Sequence, residues 1–433
     1  MIKKITESLK KQNLSGWQIR WARKKSHQSF IALTQLECRR MVETEACVIS
    51  IYKKKPAGKL GMASFKITPA NLENFEKEFE RALFAAGLVN NQPFELPDQP
   101  GKLSGVLLHE DGLGEDTLAA CEERIRAAVA MEKQVRLSAA EFFVDEIESR
   151  LMNHKGLDVS QMETLLQTEF ILLARAGERE NEYINRTTRR FLKDFDLEAE
   201  IAQSSRFARD ATAAALPRTG NFPVVLSDEP LDQLFNPLVA RASARLKYNK
   251  MMNMDLGGSV VDAGPLKGDG ITLWSNGGID RAVGSTRFDT YGTPLGRVCL
   301  IENNILKTYL ADKRYADYLS VPVTGELGNI EVGEGSVPFK SLLDFSRGNG
   351  KTVYHLQAFS AFEPNAITGA FSAEIRAGYE ITPNGTRPVK GGSVSGVLQR
   401  DLLDCRLSKE RVQRERVLAP QGILFSNLTI AGN

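Results

Sequence analysis

Histidine is scarce: there are four in 433 residues, His27, His109, His154 and His355. No two of them stand at the spacing from which one helix or hairpin could hold a metal, so a histidine-built site has no obvious frame. The five cysteines, Cys38, Cys47, Cys121, Cys299 and Cys405, are odd in number, widely spaced and without a C-x-x-C pair, the pattern that a reducing compartment produces. Charge of one sign is also missing. Lys and Arg number 56 against 54 Asp and Glu, a formal net charge of +2, so there is no global footprint for a polyanion and direct nucleic-acid binding is disfavoured. No apolar run approaches a membrane span, and the opening MIKKITESLKKQ lacks a signal-peptide core, so a cytoplasmic protein without membrane attachment is expected. Internal repeats, low-complexity tracts and long like-charge runs are absent as well.

What is present is enough chain for two or three domains, each with its own core. Ile2 to Leu9 reads as a short helix, and Phe30 to Phe65 mainly as strands, with Cys47–Tyr52 and Leu60–Phe65 forming a hairpin about Pro56-Ala57-Gly58. Thr68 as cap and Pro69 at the first position start a helix whose Leu72, Phe75, Phe79 and Leu83 share a face, and Gly87 closes it. A second amphipathic helix, Glu115 to Lys133, aligns Leu118, Cys121, Ile125 and Val129, which makes Cys121 a small buried apolar residue. Phe142–Val144 and Met162–Leu173 read as strands either side of the turn Asn153-His154-Lys155-Gly156. A helix from Leu197 to Ala215 follows, ended by Pro217 and Gly220.

That turn-rich connection predicts a boundary, with a mixed α/β domain over 1–219 packed firmly against a β-rich, mostly antiparallel domain over 220–433, an α+β chain of two domains. Beyond Leu246 glycines cluster and helices become scarce. Asn303-Asn304 and Asn384-Gly385 predict hairpin turns, the first joining Val298–Glu302 to Ile305–Tyr309.

Between the halves lies Asn221 to Arg245. Phe222–Leu226 reads as a buried strand, Ser227 as a helix cap followed by Asp228 and Glu229, and Leu231, Leu234, Phe235 and Leu238 as one helical face. On that helix sits Asn236-Pro237-Leu238-Val239-Ala240-Arg241, with a kink expected at Pro237. In these surroundings the stretch resembles the TldD/PmbA family. Asn365-Ala366-Ile367-Thr368-Gly369-Ala370-Phe371-Ser372 looks like that family's N-P-x-T-G segment with Ala366 in place of proline. Gly391-Gly392-Ser393-Val394-Ser395-Gly396 and the ending Leu428-Thr429-Ile430-Ala431-Gly432 add to the likeness.

The resemblance implies a specific loss. The peptidase branch of the family, TldD, carries His-Glu-x-x-x-His at this point, two zinc ligands and a general base, whereas the PmbA/TldE branch does not. Here the matching positions are Asn236, Pro237 and Arg241: a poor ligand, a residue that cannot be a base, and a fixed positive charge. Cys405 does not sit in the context of the family's cysteine ligand. The resemblance therefore implies a PmbA/TldE-like subunit with no cofactor of its own, and with zinc in a TldD-like catalytic partner. Heterodimer formation with that partner is expected, and a homodimer when the chain is isolated. The family is associated with peptide maturation, antitoxin removal and modulation of DNA gyrase. Asn365, Thr368, Gly369, Phe371 and Ser372 would lie on a strand able to receive a peptide substrate along its edge.

Other motifs carry less. His109-Glu110 opens like a zinc motif, but Leu113 and Gly114 stand where a second histidine is needed, so a surface loop is expected. His154 reads as a solvated turn residue and His355 as a hydrogen-bonded sheet residue. Gly350-Lys351-Thr352 lacks the first glycine of a phosphate loop, that position being Phe345, and Gly391-x-Ser393 lacks the second glycine of a nucleophile elbow. Two alternatives stay open: an independent hydrolase with an unrecognised site, for which His109 or Glu110 would matter, and a self-associating peptide-binding protein without a peptidase partner.

Overall fold

The computed structural model describes residues 1–345 and 350–432. Six strands, β1 (Gly16–Ala32), β2 (Gln35–Lys54), β3 (Leu60–Ile67), β4 (Val135–Asn153), β5 (Asp158–Ala176) and β6 (Arg179–Arg189), form one antiparallel sheet in the order β3-β2-β1-β4-β5-β6. Both predicted turns, at Pro56–Gly58 and Asn153–Gly156, join neighbouring strands. The strands are much longer than the short apolar runs imply. β1 continues through Arg23-Lys24-Lys25, where cross-strand charge pairs replace apolar alternation: Arg23 Nε donates to Glu43 at 2.7 Å, and Lys24 meets Asp145.

Four helices cover one face of this sheet. Ile5 and Leu9 of α1 (Ile2–Lys10), with Phe75, Phe79 and Ala82 of α2 (Phe75–Leu88), pack on Ile19, Cys47, Ile49 and Ile67. Leu118, Cys121, Ile125 and Val129 of α3 (Glu115–Ala130), with Leu197 and Ile201 of α4 (Leu197–Ala213), pack on Ile31, Val144, Leu166 and Phe170. Ile19 and Ile31 are an even number of positions apart on β1, so both groups lie on the same side. The helix periodicity read from the sequence is the periodicity that is buried. α2 is preceded by a 3-10 turn, Pro69–Asn74, that takes the Thr68 cap through a reciprocal bond with Asn71.

β5 changes phase along its length. Val159 and Gln161 are buried at one end, and Thr164, Leu166, Thr168, Phe170 and Leu172 at the other. The first end of the sheet therefore buries the face turned away from the helices, and the C-terminal half covers it: Leu151, Leu157 and Val159 pack against Phe288. Burying a side chain of that size is worth about 1.5–3 kcal/mol.

The C-terminal half contributes β7 (Gly220–Ser227), β8 (Leu273–Asn276), β9 (Arg297–Glu302), β10 (Ile305–Leu306), β11 (Asn329–Val332), β12 (Val353–Phe359) and β13 (Ala370–Thr382). It continues with β14 (Gly385–Val389), β15 (Ser393–Val397), β16 (Cys405–Leu407), β17 (Arg411–Arg414), β18 (Val417–Pro420) and β19 (Gly422–Ala431). One sheet runs β10-β9-β8-β11-β18-β17. In the other, β7, β19, β15, β13 and β12 pair in turn and β12 returns to β7, closing a ring, with β14 added to β13 and β16 to β19. Pairing is antiparallel except for β7 with β12 and β11 with β18. One apolar core spans both sheets. A hairpin forms at Asn303-Asn304, both taking the positive φ that such a turn requires, though its return strand stops at Leu306 and not at Tyr309. The other hairpin turns at Pro383-Asn384, one residue before the expected pair, so that Gly385 opens β14 opposite Thr382.

Polar bonds pin the halves together, as the short Pro217–Gly220 connection predicts. Arg190, 2% exposed, donates from Nε to the Ala282 carbonyl at 3.0 Å, from Nη2 to those of Val283 and Ser285 at 2.9 Å, and from Nη1 to Glu163 at 2.8 Å. Gln161 exchanges hydrogen bonds with Thr286 and accepts one from the Arg287 amide. Among the described residues no helix is long and apolar enough to cross a membrane.

Candidate functional site

The strand predicted at Phe222–Leu226 is the middle of β7, but the helix after it differs from expectation. Two short helices replace one: α5 (Leu231–Leu234) and α6 (Asn236–Arg241), separated at Phe235. Pro237 causes the break. It sits in the first turn of α6, where its missing N–H costs nothing, so the expected kink becomes a fresh helix start. Leu231, Leu234, Phe235 and Leu238 are all buried, so the facing residues are as read. Ser227 is not the cap. Its hydroxyl donates to Asp228 Oδ2 at 2.6 Å and lies 2.8 Å from His355 Nε2, while Asp228 turns the chain with φ 59° and α5 starts at Pro230 without a side-chain cap.

On α6, Asn236 donates from Nδ2 to Gln233 Oε1 at 2.5 Å and Pro237 is buried. Arg241 is half-buried. Its Nη2 donates to the Ile367 carbonyl at 3.3 Å, and its Nε has no partner. Burial lowers the guanidinium pKa, with nearby Asp262 acting the other way. The structure thus brings α6 against the Asn365–Gly369 segment. That segment is a tight turn: Asn365 Oδ1 accepts from the amides of Ile367 at 3.0 Å and Thr368 at 2.8 Å. Gly369 has φ 66°, and a Cβ there would lie 1.8 Å from Gln399 Oε1, so any side chain would have to displace the Gln399 amide and hold a left-handed backbone, which favours glycine. Gln399 is 3% exposed with neither side-chain polar atom partnered.

Phe371 begins β13 buried, edge-on to Phe362 at 5.6 Å between ring centres, and pairs with Gly396, while exposed Ser372 pairs with Ser395. β15 therefore takes one edge of this strand, and β12 takes the other from Ile375 onward. Among the described residues no strand pairs with Phe371–Ala373 on that second edge.

The chemistry available around α6 does not fit zinc. Among the described residues no group of three or more His, Cys, Asp or Glu side chains is placed to hold a metal. Cys405 is fully buried, its thiol pushed up to about 12 by burial, with Sγ 3.7 Å from the Asp269 carbonyl. His109 lies 3.3 Å from Glu146 and 3.4 Å from Asp111, and Glu110 accepts the Leu192 amide at 2.7 Å, a structural bond. His154 is exposed in its turn. His355 sits in β12, 8% exposed, and burial holds its pKa down at about 4 against the pull of Asp228. Because Ser227 gives its proton to Asp228, the imidazole donates to Ser227. With the hydroxyl between acid and imidazole, and Ser227 only 2% exposed, the trio is a buried network and not a nucleophile with its base. Gly391 and Gly392 both take positive φ in a bend, and Phe345 to Gly350 spans undescribed residues.

A small cavity and a large one lie between the halves. The smaller, about 110 Å³, is lined by Asn185, Glu200, Asp228, Gln357 and Arg414, and leaves unpartnered oxygens on Asn185, Glu200 and Gln357. That is room for roughly three waters at about 30 Å³ each. The larger, about 680 Å³, lies between the sheet face turned away from the helices and residues 283–290, with Asp289 and Glu326 in its wall. The sequence offers no motif for it, because its walls come from strands and loops more than a hundred residues apart. The only local signal is the turn Asp289-Thr290-Tyr291-Gly292-Thr293.

Residues 219–432 match the family described as the PmbA/TldA metallopeptidase C-terminal domain. An uncharacterised protein of Methanocaldococcus jannaschii is 26% identical over 281 residues, 63% of this chain and 64% of that protein's length. The fold is that of TldE from Thermococcus kodakarensis, with TM-score 0.83, 18% identity and complete coverage of both chains. It is also that of a Thermotoga maritima protein named as a candidate modulator of a DNA gyrase, with TM-score 0.80, 20% identity and complete coverage of both.

Proposed function

The chain belongs to the TldD/PmbA family, and on that premise we propose that it is a TldE-like subunit of a peptidase complex in the cytoplasm, contributing no catalytic group. It pairs with a TldD-like subunit that holds the zinc, and the complex acts on peptides or small proteins, a gyrase effect following from such proteolysis. Its domains are taken as 1–219 and 220–433, a division supported by where the family match begins and by the first sheet being complete at Arg189.

The observation that carries this reading is α6. A half-buried guanidinium, tied to the Ile367 carbonyl, stands where the peptidase branch would have its second histidine. A unit charge 4 Å from another is repelled by about 4 kcal/mol near a protein surface, and a divalent ion by about twice that. Neither Asn236 nor Pro237 can offset such a cost. No observation favours a hydrolase built on Ser227 and His355, which are shut away from substrate.

The test is to purify the chain, measure its zinc by emission spectroscopy, and assay cleavage of unstructured peptides alone and with a TldD-like protein. Cleavage should require the second protein. One equivalent of zinc together with cleavage by this chain alone refutes the proposal.

A further inference from the structure

We propose that the large cleft between the first sheet and the C-terminal half is a peptide-binding site in which Asp289 pairs with an ammonium group. The inference does not depend on the partnership above, since it concerns groups this chain holds by itself.

The cleft has the size of a small-ligand site, about 680 Å³, and its wall mixes apolar surface from Val48, Leu151, Leu165 and Phe288 with a few polar groups. Among these Asp289 is exceptional. It is 5% exposed, and its Oδ1 accepts from the amides of Tyr291 and Thr293, both at 2.9 Å. Those bonds fix the carboxyl rigidly. Oδ2 has no partner. The neighbouring carboxylate of Glu326, held by the Thr290 hydroxyl at 2.8 Å and amide at 3.2 Å, adds a like charge. A buried acceptor with an open lone pair beside a second carboxylate is complementary to a cation carrying several N–H donors.

The cleft's own cations do not supply that partner. Arg190 is saturated by four carbonyls and Glu163, Arg150 is paired with Asp158 at 2.5 Å, and Arg416 makes no hydrogen bond to Asp289, whose Oδ2 has no partner. Arg20 and Lys66 lie in one cross-strand row with Val48 on the same sheet face, so they repel a cation there and suit a carboxylate or carbonyl instead. A peptide lying in the cleft with an ammonium at Asp289 and its acidic or carbonyl groups toward Arg20 and Lys66 meets both demands. Burial holds the Asp289 carboxyl up at about 6, so it is still mainly ionised at neutral pH and above.

The ammonium could be a peptide N-terminus or a lysine, and three probes separate them by calorimetry on the full chain at pH 7.5. They are Ala-Ala-Ala amide with a free N-terminus, N-acetyl-Ala-Lys-Ala amide, and N-acetyl-Ala-Ala-Ala amide, which has no ammonium. At least one of the first two is expected to bind tenfold or more tighter than the third, and which one names the source. Asp289→Asn, which keeps the acceptor for Tyr291 and Thr293, should bring the tighter probe down to the level of the third. Should that variant not fold by circular dichroism, Glu326→Gln serves, with a severalfold loss expected. No binding at millimolar probe, equal binding of all three, or unchanged affinity in the folded variant overturns the proposal. These outcomes leave the zinc and cleavage measurements unaffected, so the two ideas fail separately.

Discussion

Asp289, buried, and Asp228, partly buried, both sit at the seam between the halves, yet the protein treats them in opposite ways. Both oxygens of Asp228 are engaged: Oδ2 accepts from Ser227 and Gln357, Oδ1 from Gln203 at 3.0 Å, and the charge of Arg414 acts on it in addition. Burial alone would raise its pKa, but these donors outweigh burial and hold it below the usual aspartate value. Asp289 has two backbone donors on one oxygen and none on the other, so burial, aided by Glu326, wins and the pKa rises to about 6. A completed network marks a residue that holds the fold. An incomplete one marks a residue kept for something that arrives later, retained at a cost in stability.

The contrast is open to direct attack. The largest effect should come from the saturated end of the cleft: Arg190→Met strands four carbonyls and Glu163, and urea titration should show a loss of about 3–5 kcal/mol. Asp228→Ala comes next, at about 2–4 kcal/mol, since it leaves Ser227, Gln203 and Gln357 without their acceptor and forces alanine to positive φ. Asp289→Asn should instead stabilise the protein, by up to about 3 kcal/mol at pH 8, because a pKa raised from 3.8 to about 6 makes ionisation unfavourable in the folded state. The sign follows from proton binding. The Asp289 penalty is absent below about pH 4, grows as pH rises toward 6, and is full above it. Asp228, with a lowered pKa, contributes stability above the unfolded pKa and loses it as pH falls through its folded value. The gain in Asp289→Asn must therefore vanish in acid, and a pH-independent gain would erase the contrast. The smallest change is Ser227→Ala, about 1 kcal/mol, which tests whether the Asp228 network is as redundant as its several donors suggest.

The amphipathic helices α2, α3 and α4 were legible because one face of each is buried and the other is not. The hairpin at Asn303-Asn304 was legible because both residues tolerate positive φ, whereas the one before β14 was placed one residue late, its turn being Pro383-Asn384. The long strands were not. β1 is stabilised in its middle by partners on other strands, which no local pattern records, and the phase change in β5 reflects different neighbours at its two ends. Leu231 to Arg241 has one helical periodicity but two helices, since Pro237 favours a start over a continuation. Of the site, the substituted positions Asn236, Pro237 and Arg241 could be read directly, whereas Gln399 beside Gly369 and Asp289 in its cleft exist only through distant contacts.

The ring of five strands sets an order of events for synthesis. Its first strand, β7, lies between β12 and β19, so that Gly220 pairs with Ile430. The six-stranded sheet has all its strands once Arg189 has left the ribosome, but β7 waits with an open edge while some two hundred further residues are made. Loss of Gly422–Ala431 would remove an interior stave of the ring, so any truncation before Gly422 should cost the C-terminal half its fold.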